Sequence, residues 1–215
     1  MVCFPGAPAY TSGVQKERQS WVLPTILLVV FALTRWPGVM PPNFSAAYAL
    51  VFCAAIYFPG RLGWFLPIGI LLLSDVIMNT FYYGVSTFTL FTLGNYVAYA
   101  AIVYLGQRCF THRSSFARLI TGGFLSALIF YLLTNTFSWL HNPQYPKTLA
   151  GLIQALTIGT PGWPHTWEFF RNSLLSGGLF AGLFAGAMKL SELPEPKEEE
   201  AESEQPAEGA EESKA

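Results

Sequence analysis

One carboxylate, Asp75, stands inside the apolar stretch 62–78, with Asn79 four residues further on. Four residues is about one helical turn, so both side chains share a helix face. A charge at mid-bilayer depth costs roughly 2.5–3.5 kcal/mol on insertion scales, so intramembrane acids tend to be functional. Two roles fit this acid. Asp75 is either a helix-end carboxylate paired with Arg35, Lys147 or Arg171, or a contact for a ligand or ion. Further polar groups fall on the same side of the chain's expected path: Asn43, Asn135, His141, Lys147, Arg171 and Asn172. Trp36, Trp139, Tyr145, Trp163 and Trp167 accompany them. Taken singly, such aromatics are ordinary boundary residues. Together with the polar groups they suit an outward pocket with charged and stacking walls. The expectation is that Asp75, Asn79, Lys147, Arg171 and Asn172 converge in one cavity, with Trp139 or Tyr145 as its apolar wall.

Other chemistries find little support. His112, His141 and His165 are not spaced as metal ligands, and Cys3, Cys53 and Cys109 are too scattered for a disulfide framework or a zinc site. No His-Glu-x-x-His pattern, phosphate-binding glycine loop or nucleophile elbow occurs. No metal, cofactor, ATPase motor or enzymatic activity is expected within the chain. No nucleic-acid-binding stripe is present either.

The elements that must position these groups are apolar blocks. Of 215 residues, 52% are hydrophobic and 12% charged, against about 25% charged in ordinary soluble domains. The charges are segregated. Residues 1–191 hold ten Lys/Arg and three acids, a net charge of +7, whereas residues 192–215 carry −8. Three parts follow: a loose cytoplasmic leader over 1–20, a membrane domain over 21–191, and an acidic tail over 192–215 with too little apolar surface to fold alone.

Within the middle part, spans are expected over 21–34, 44–58, 62–78, 85–105, 117–137 and 173–190, with a turn at 79–84. Pro143, Pro146, Pro161 and Pro164 break the region before the last span. The apolar run 149–158 is too short to cross and reads as a re-entrant or interfacial helix. The fold class is therefore all-α: a polytopic bundle of about six transmembrane helices. Placing both termini in the cytoplasm puts seven cations inside and three outside, as the positive-inside rule favours.

The last span repeats small residues every four positions: Gly178, Gly182 and Gly186, beside Ala181 and Ala185. Such rows let two helices approach closely. They serve either packing within the bundle or docking of a partner subunit.

The segments Pro42-Asn43-Phe44, Leu71-Leu72-Leu73-Ser74-Asp75, "YPKTLAGL" from Tyr145 and "FFRNSLL" from Phe169 occur in this order. Over residues 42–186 the chain resembles a bacterial membrane family of unknown function whose members are described as transport proteins. That family is in turn similar to the substrate-binding S components of energy-coupling-factor transporters. The resemblance implies a multi-pass protein of the bacterial inner membrane, with a small-molecule site near the outer face. It also implies docking on a membrane subunit driven by separate ATPases. The chain departs from the family pattern where Thr160 to Glu168 stands before the Phe-Phe pair, and where Ser176-Gly177-Gly178 replaces a Gly-Asp pair. Substrate capture is the leading expectation. A membrane scaffold whose tail recruits partners, and an integral membrane enzyme acting on a lipid, are the alternatives.

Reporter fusions test the topology. One placed after Ser191 and one within 79–84 are expected on opposite sides of the membrane, and same-side signals would end the six-span reading.

Overall fold

The computed structural model describes residues 22–58 and 60–191. The leader and the acidic tail lie outside the described residues. Within them the chain is helical, with no strand. The helices are α1 (Val22–Arg35), α2 (Ala47–Tyr57), α3 (Leu62–Val76), α4 (Leu90–Cys109), α5 (Phe116–His141), α6 (Leu149–Thr157) and α7 (Thr166–Ser191). α3 continues without a break into a π-helical segment, Ile77–Tyr82.

Local chemistry sets the starts of several helices. Thr89, Ser115 and Thr148 each stand in extended backbone, and each side chain accepts a hydrogen bond from the amide three residues on. Those bonds satisfy amides that the first helical turn leaves without a partner. Pro67 lies inside α3 and contributes no amide hydrogen.

α2 is the centre of the bundle. Its residues from Ala47 to Ala55 are buried except Leu50, and it touches α1, α3, α4, α5 and α7. A helix apolar all round belongs in such a position. α5 and α7 form the most extensive pair. Their contact line runs through Gly123 and Gly177. A β-carbon on Gly123 would meet the Gly177 carbonyl oxygen and the Ala181 β-carbon, both at 2.4 Å. Gly178 lies under the Phe124 ring, and Ala181 and Ala185 are fully buried. The small-residue strip therefore packs within the bundle. Its Gly182 and Gly186 edge is looser, because a β-carbon there would stand 3.5 Å or more from its nearest neighbour.

Among the described residues, three segments are long and apolar enough to cross a membrane: Leu62–Tyr82, Phe116–His141 and Thr166–Leu190. α2 is apolar but has only eleven residues. Large apolar side chains cover the outside of the bundle, among them Phe65, Leu73, Leu179 and Leu183. That surface is compatible with membrane association.

Several expected boundaries move. The turn expected at 79–84 is helical as far as Tyr82, because the π-helical turns carry the hydrogen-bond ladder past Val76; the Tyr83 amide bonds to the Met78 carbonyl. The fourth helix starts at Leu90 rather than 85, where Thr89 caps it. α5 runs on to His141, and α7 begins at Thr166 rather than 173, just after Pro164. The short helix before the last span occupies Leu149–Thr157.

The packing separates two glycines. Gly123→Ala is expected to force α5 and α7 apart and to cost about 1–3 kcal/mol, as overpacking does. Gly182→Ala has room for its methyl group and is expected to leave thermal stability unchanged or slightly raised. Thermal unfolding of the purified variants compares the two.

Candidate functional site

A cavity of about 810 Å³ opens at the end of the bundle where α1 finishes and α2, α4 and α7 begin. Its origin is the shortness of α2. Eleven helical residues span roughly 16 Å and the 26 of α5 roughly 39 Å. The space beyond the start of α2 is covered by the proline-rich connection 36–46 rather than filled by a helix. Thr34 anchors that connection by accepting a hydrogen bond from the Ala46 amide at 3.1 Å. Asn172 of α7 holds it from the other side, donating to the Pro42 carbonyl at 3.0 Å.

Asn43 turns the connection into the cavity. It adopts φ +61°, a left-handed conformation that asparagine tolerates better than most residues. Its carbonyl accepts from the hydroxyls of Tyr48 at 3.4 Å and Ser173 at 3.5 Å.

Asp75 and Arg35 meet at the cavity wall and form the one ion pair among the described residues. Their side chains keep 13% and 20% exposure. The second carboxylate oxygen accepts from the Tyr96 hydroxyl at 2.8 Å, and the Asp75 carbonyl accepts from Thr87 at 3.4 Å. The guanidinium lies 6.0 Å from the centre of the Phe31 ring and against the phenol of Tyr99. Asp75 lies in the last turn of α3, where it passes into the π-helical segment, and of the three candidate cations it pairs with Arg35. The helical segment runs over Leu62–Tyr82, and Asp75 stands three positions beyond its middle.

Asn79 also lines the cavity, from the π-helical segment. π-helical turns are frequent at functional sites. Asn135 joins it from α5, with its amide nitrogen donating to the Tyr131 carbonyl at 2.8 Å. Thus Asn43, Asp75, Asn79 and Asn135 face one space.

The other candidates do not line that cavity, which corrects the expected convergence. Lys147 donates to the carbonyls of Trp139 and Asn142. It caps the end of α5, where free carbonyls attract a cation. Arg171 is exposed, its guanidinium 5.5 Å over the Trp167 ring and 3.4 Å from the Asn172 side-chain oxygen. Asn172 spends its amide on Pro42. Trp139 donates to the Pro146 carbonyl at 2.9 Å. Tyr145 lines a second, smaller cavity of about 270 Å³, which shares Asn135, Ser138 and Phe169 with the first. Burial there raises the Tyr145 phenol above its ordinary pKa, opposed by a hydrogen bond with Thr160.

The histidines are spread apart in their roles. His141 stacks on Phe137, His165 faces the Ile158 carbonyl, and the His112 carbonyl accepts from Lys189.

The residues that sequence reasoning passed over sit mainly on α4. Thr92, Asn95 and Tyr99 line the cavity, spaced three and four apart, with Tyr96 beside them. A polar stripe at helical spacing inside an apolar run is the signal that could have found them.

Among the described residues the protein is an all-helical bundle with three membrane-length apolar segments and polar, aromatic cavity space at one end. Residues 15–198 match the family of unknown function DUF6580, so the chain belongs to that family. No curated protein and no solved structure matches it.

The ion pair makes its own prediction. Asp75→Asn leaves the Arg35 guanidinium in apolar surroundings without its counter-charge. The expected cost is roughly 3 kcal/mol, the low end for buried pairs because both side chains keep some exposure. Arg35→Met with Asp75→Leu removes both charges and is expected to restore part of that loss in thermal unfolding.

Proposed function

We propose that this protein captures a small molecule in the cavity between α1, α3, α4 and α5, as a substrate-binding membrane subunit. The observation that carries the reading is the cavity itself. It is about 810 Å³, within the range of small-molecule sites, and it combines aromatic walls with polar groups from four helices and a loop. A membrane scaffold has no need of a polar cavity inside an apolar bundle, because each buried polar group there costs stability unless it is bonded.

The proposal includes six spans with both termini cytoplasmic, in a bacterial inner membrane. The distribution of charge supports this orientation. Arg61, Arg108, Arg113, Arg118 and Lys189 flank the helix ends remote from the cavity. The described acids, Asp75 and Glu168, are not among the residues of that end. Under the positive-inside rule the basic end is cytoplasmic, so the cavity faces outward. A partner membrane subunit with separate ATPases would supply the energy for release. That part of the reading rests on the family resemblance, because the small-residue strip of α7 is occupied by α5.

Retention of ligand tests capture without assuming the compound. The purified protein is incubated with a small-molecule extract of its expression host, washed, denatured and analysed by mass spectrometry. Thr134→Trp, which would fill the cavity from α5, is the control. A compound enriched on the wild type and lost from this variant is the expected result. Equal retention by both, or none by either, would overturn the reading.

A further inference from the structure

We infer that the ligand of this cavity is an uncharged, flat ring whose edge carries both a hydrogen-bond donor and an acceptor, as in a lactam or a ring carboxamide. The inference rests on the capture reading above and adds the ligand's chemistry.

Charge is the first consideration. The cavity wall contains one cation and one anion, and they neutralise each other. One Asp75 oxygen takes Arg35, the other takes the Tyr96 hydroxyl, and the backbone carbonyl takes Thr87. Arg35 is further enclosed by Phe31 and Tyr99. A charged ligand would have to break this pair or enter without a counter-ion, and both routes are costly in a low-dielectric site. An ordinary anion-binding or cation-binding role is thereby disfavoured.

The polar capacity left over lies mainly in carboxamides, beside the hydroxyls of Tyr83 and Ser138. The side chains of Asn79 and Asn95 line the cavity, are half-buried, and have no hydrogen-bond partner among the described residues. They come from the π-helical end of α3 and from α4. Asn135 spends its nitrogen on the Tyr131 carbonyl, which leaves its oxygen to accept from α5. Each free carboxamide offers two donors and an acceptor in one plane. A lactam or ring-carboxamide edge presents the complementary donor and acceptor side by side. A sugar hydroxyl can satisfy the same atoms, but the wall beside them is rich in aromatic rings, with Phe91, Tyr99, Phe130 and Phe137 among its lining. Aromatic faces favour flat π-systems in offset or edge contact. An alkyl amide would satisfy the asparagines and leave those faces unused.

The test is a thermal-shift panel on the full chain in detergent at near-neutral pH. Uracil, lumazine and nicotinamide serve as neutral lactam or carboxamide rings. Benzoate, benzylamine and phenylalanine supply anionic, cationic and zwitterionic rings, and glucose a neutral non-aromatic. The expected result is stabilisation by at least one of the first three and by none of the others. Asn79→Leu and Asn95→Leu are then expected to raise its half-saturating concentration by about tenfold or more, the loss of one hydrogen bond within a site. Preference for benzoate or benzylamine would overturn the inference by showing a charged ligand. Preference for phenylalanine would do so by showing that the ion pair opens to hold a zwitterion, and preference for glucose by removing the ring. Stabilisation that both leucine variants retain in full would overturn the assignment of recognition to the carboxamides. Stabilisation by none of the probes would overturn the ligand class, while capture itself is decided separately by the retention experiment.

Discussion

A charged pair inside an apolar bundle constrains everything around it. Asp75 stands near the middle of a 21-residue apolar segment, where an isolated carboxylate would be expensive. Arg35 is the last residue of α1, so neutralising Asp75 fixes where α1 ends against α3. Tyr96 extends the constraint to α4 by donating to the same carboxylate. One electrostatic requirement thereby orders three helices around one end of the molecule. The Tyr96 and Thr87 hydroxyls bond to Asp75 beside the pair, and Arg35, Asp75 and Tyr99 line the cavity.

The opposite requirement, close apolar packing, orders the rest. Gly122 and Gly123 let α5 approach α2 and α7 at once: the first accommodates the Phe52 ring, the second the Gly177 backbone. This contact draws α5, α7 and the short α2 together without leaving room for a ligand. The cavity lies beyond the start of α2, where no helix is available to fill the bundle. Dense packing and open space thus follow from the same feature, an eleven-residue central helix among longer neighbours.

The connection 36–46 has two tasks. Its prolines and the left-handed Asn43 prevent it from continuing either helix. Its carbonyls meanwhile receive hydrogen bonds from Tyr48, Ser173 and Asn172. A connection tied at several points can close a binding space without regular structure of its own. Such loops held on a rigid scaffold commonly carry function.

Composition and pattern alone determined the helical class and the short helix before α7, and they marked Asp75 as an acid in need of a counter-charge. Long apolar blocks broken by Pro and Gly admit few other readings, and a lone acid among them needs a partner. Arg35 was among the three cations that could answer it. Only the tertiary structure chose between them, because Lys147 lies close enough to the end of α5 to cap its carbonyls, and Arg171 lies against Trp167 outside the cavity. The membership of Asn95 and Tyr99 in the site was likewise decided in three dimensions. Helical spacing gives one stripe per helix, but which stripe faces a cavity depends on how each helix is rotated against its neighbours. That rotation is set by contacts distant in sequence, such as Gly123 against Gly177 and Asp75 against Arg35.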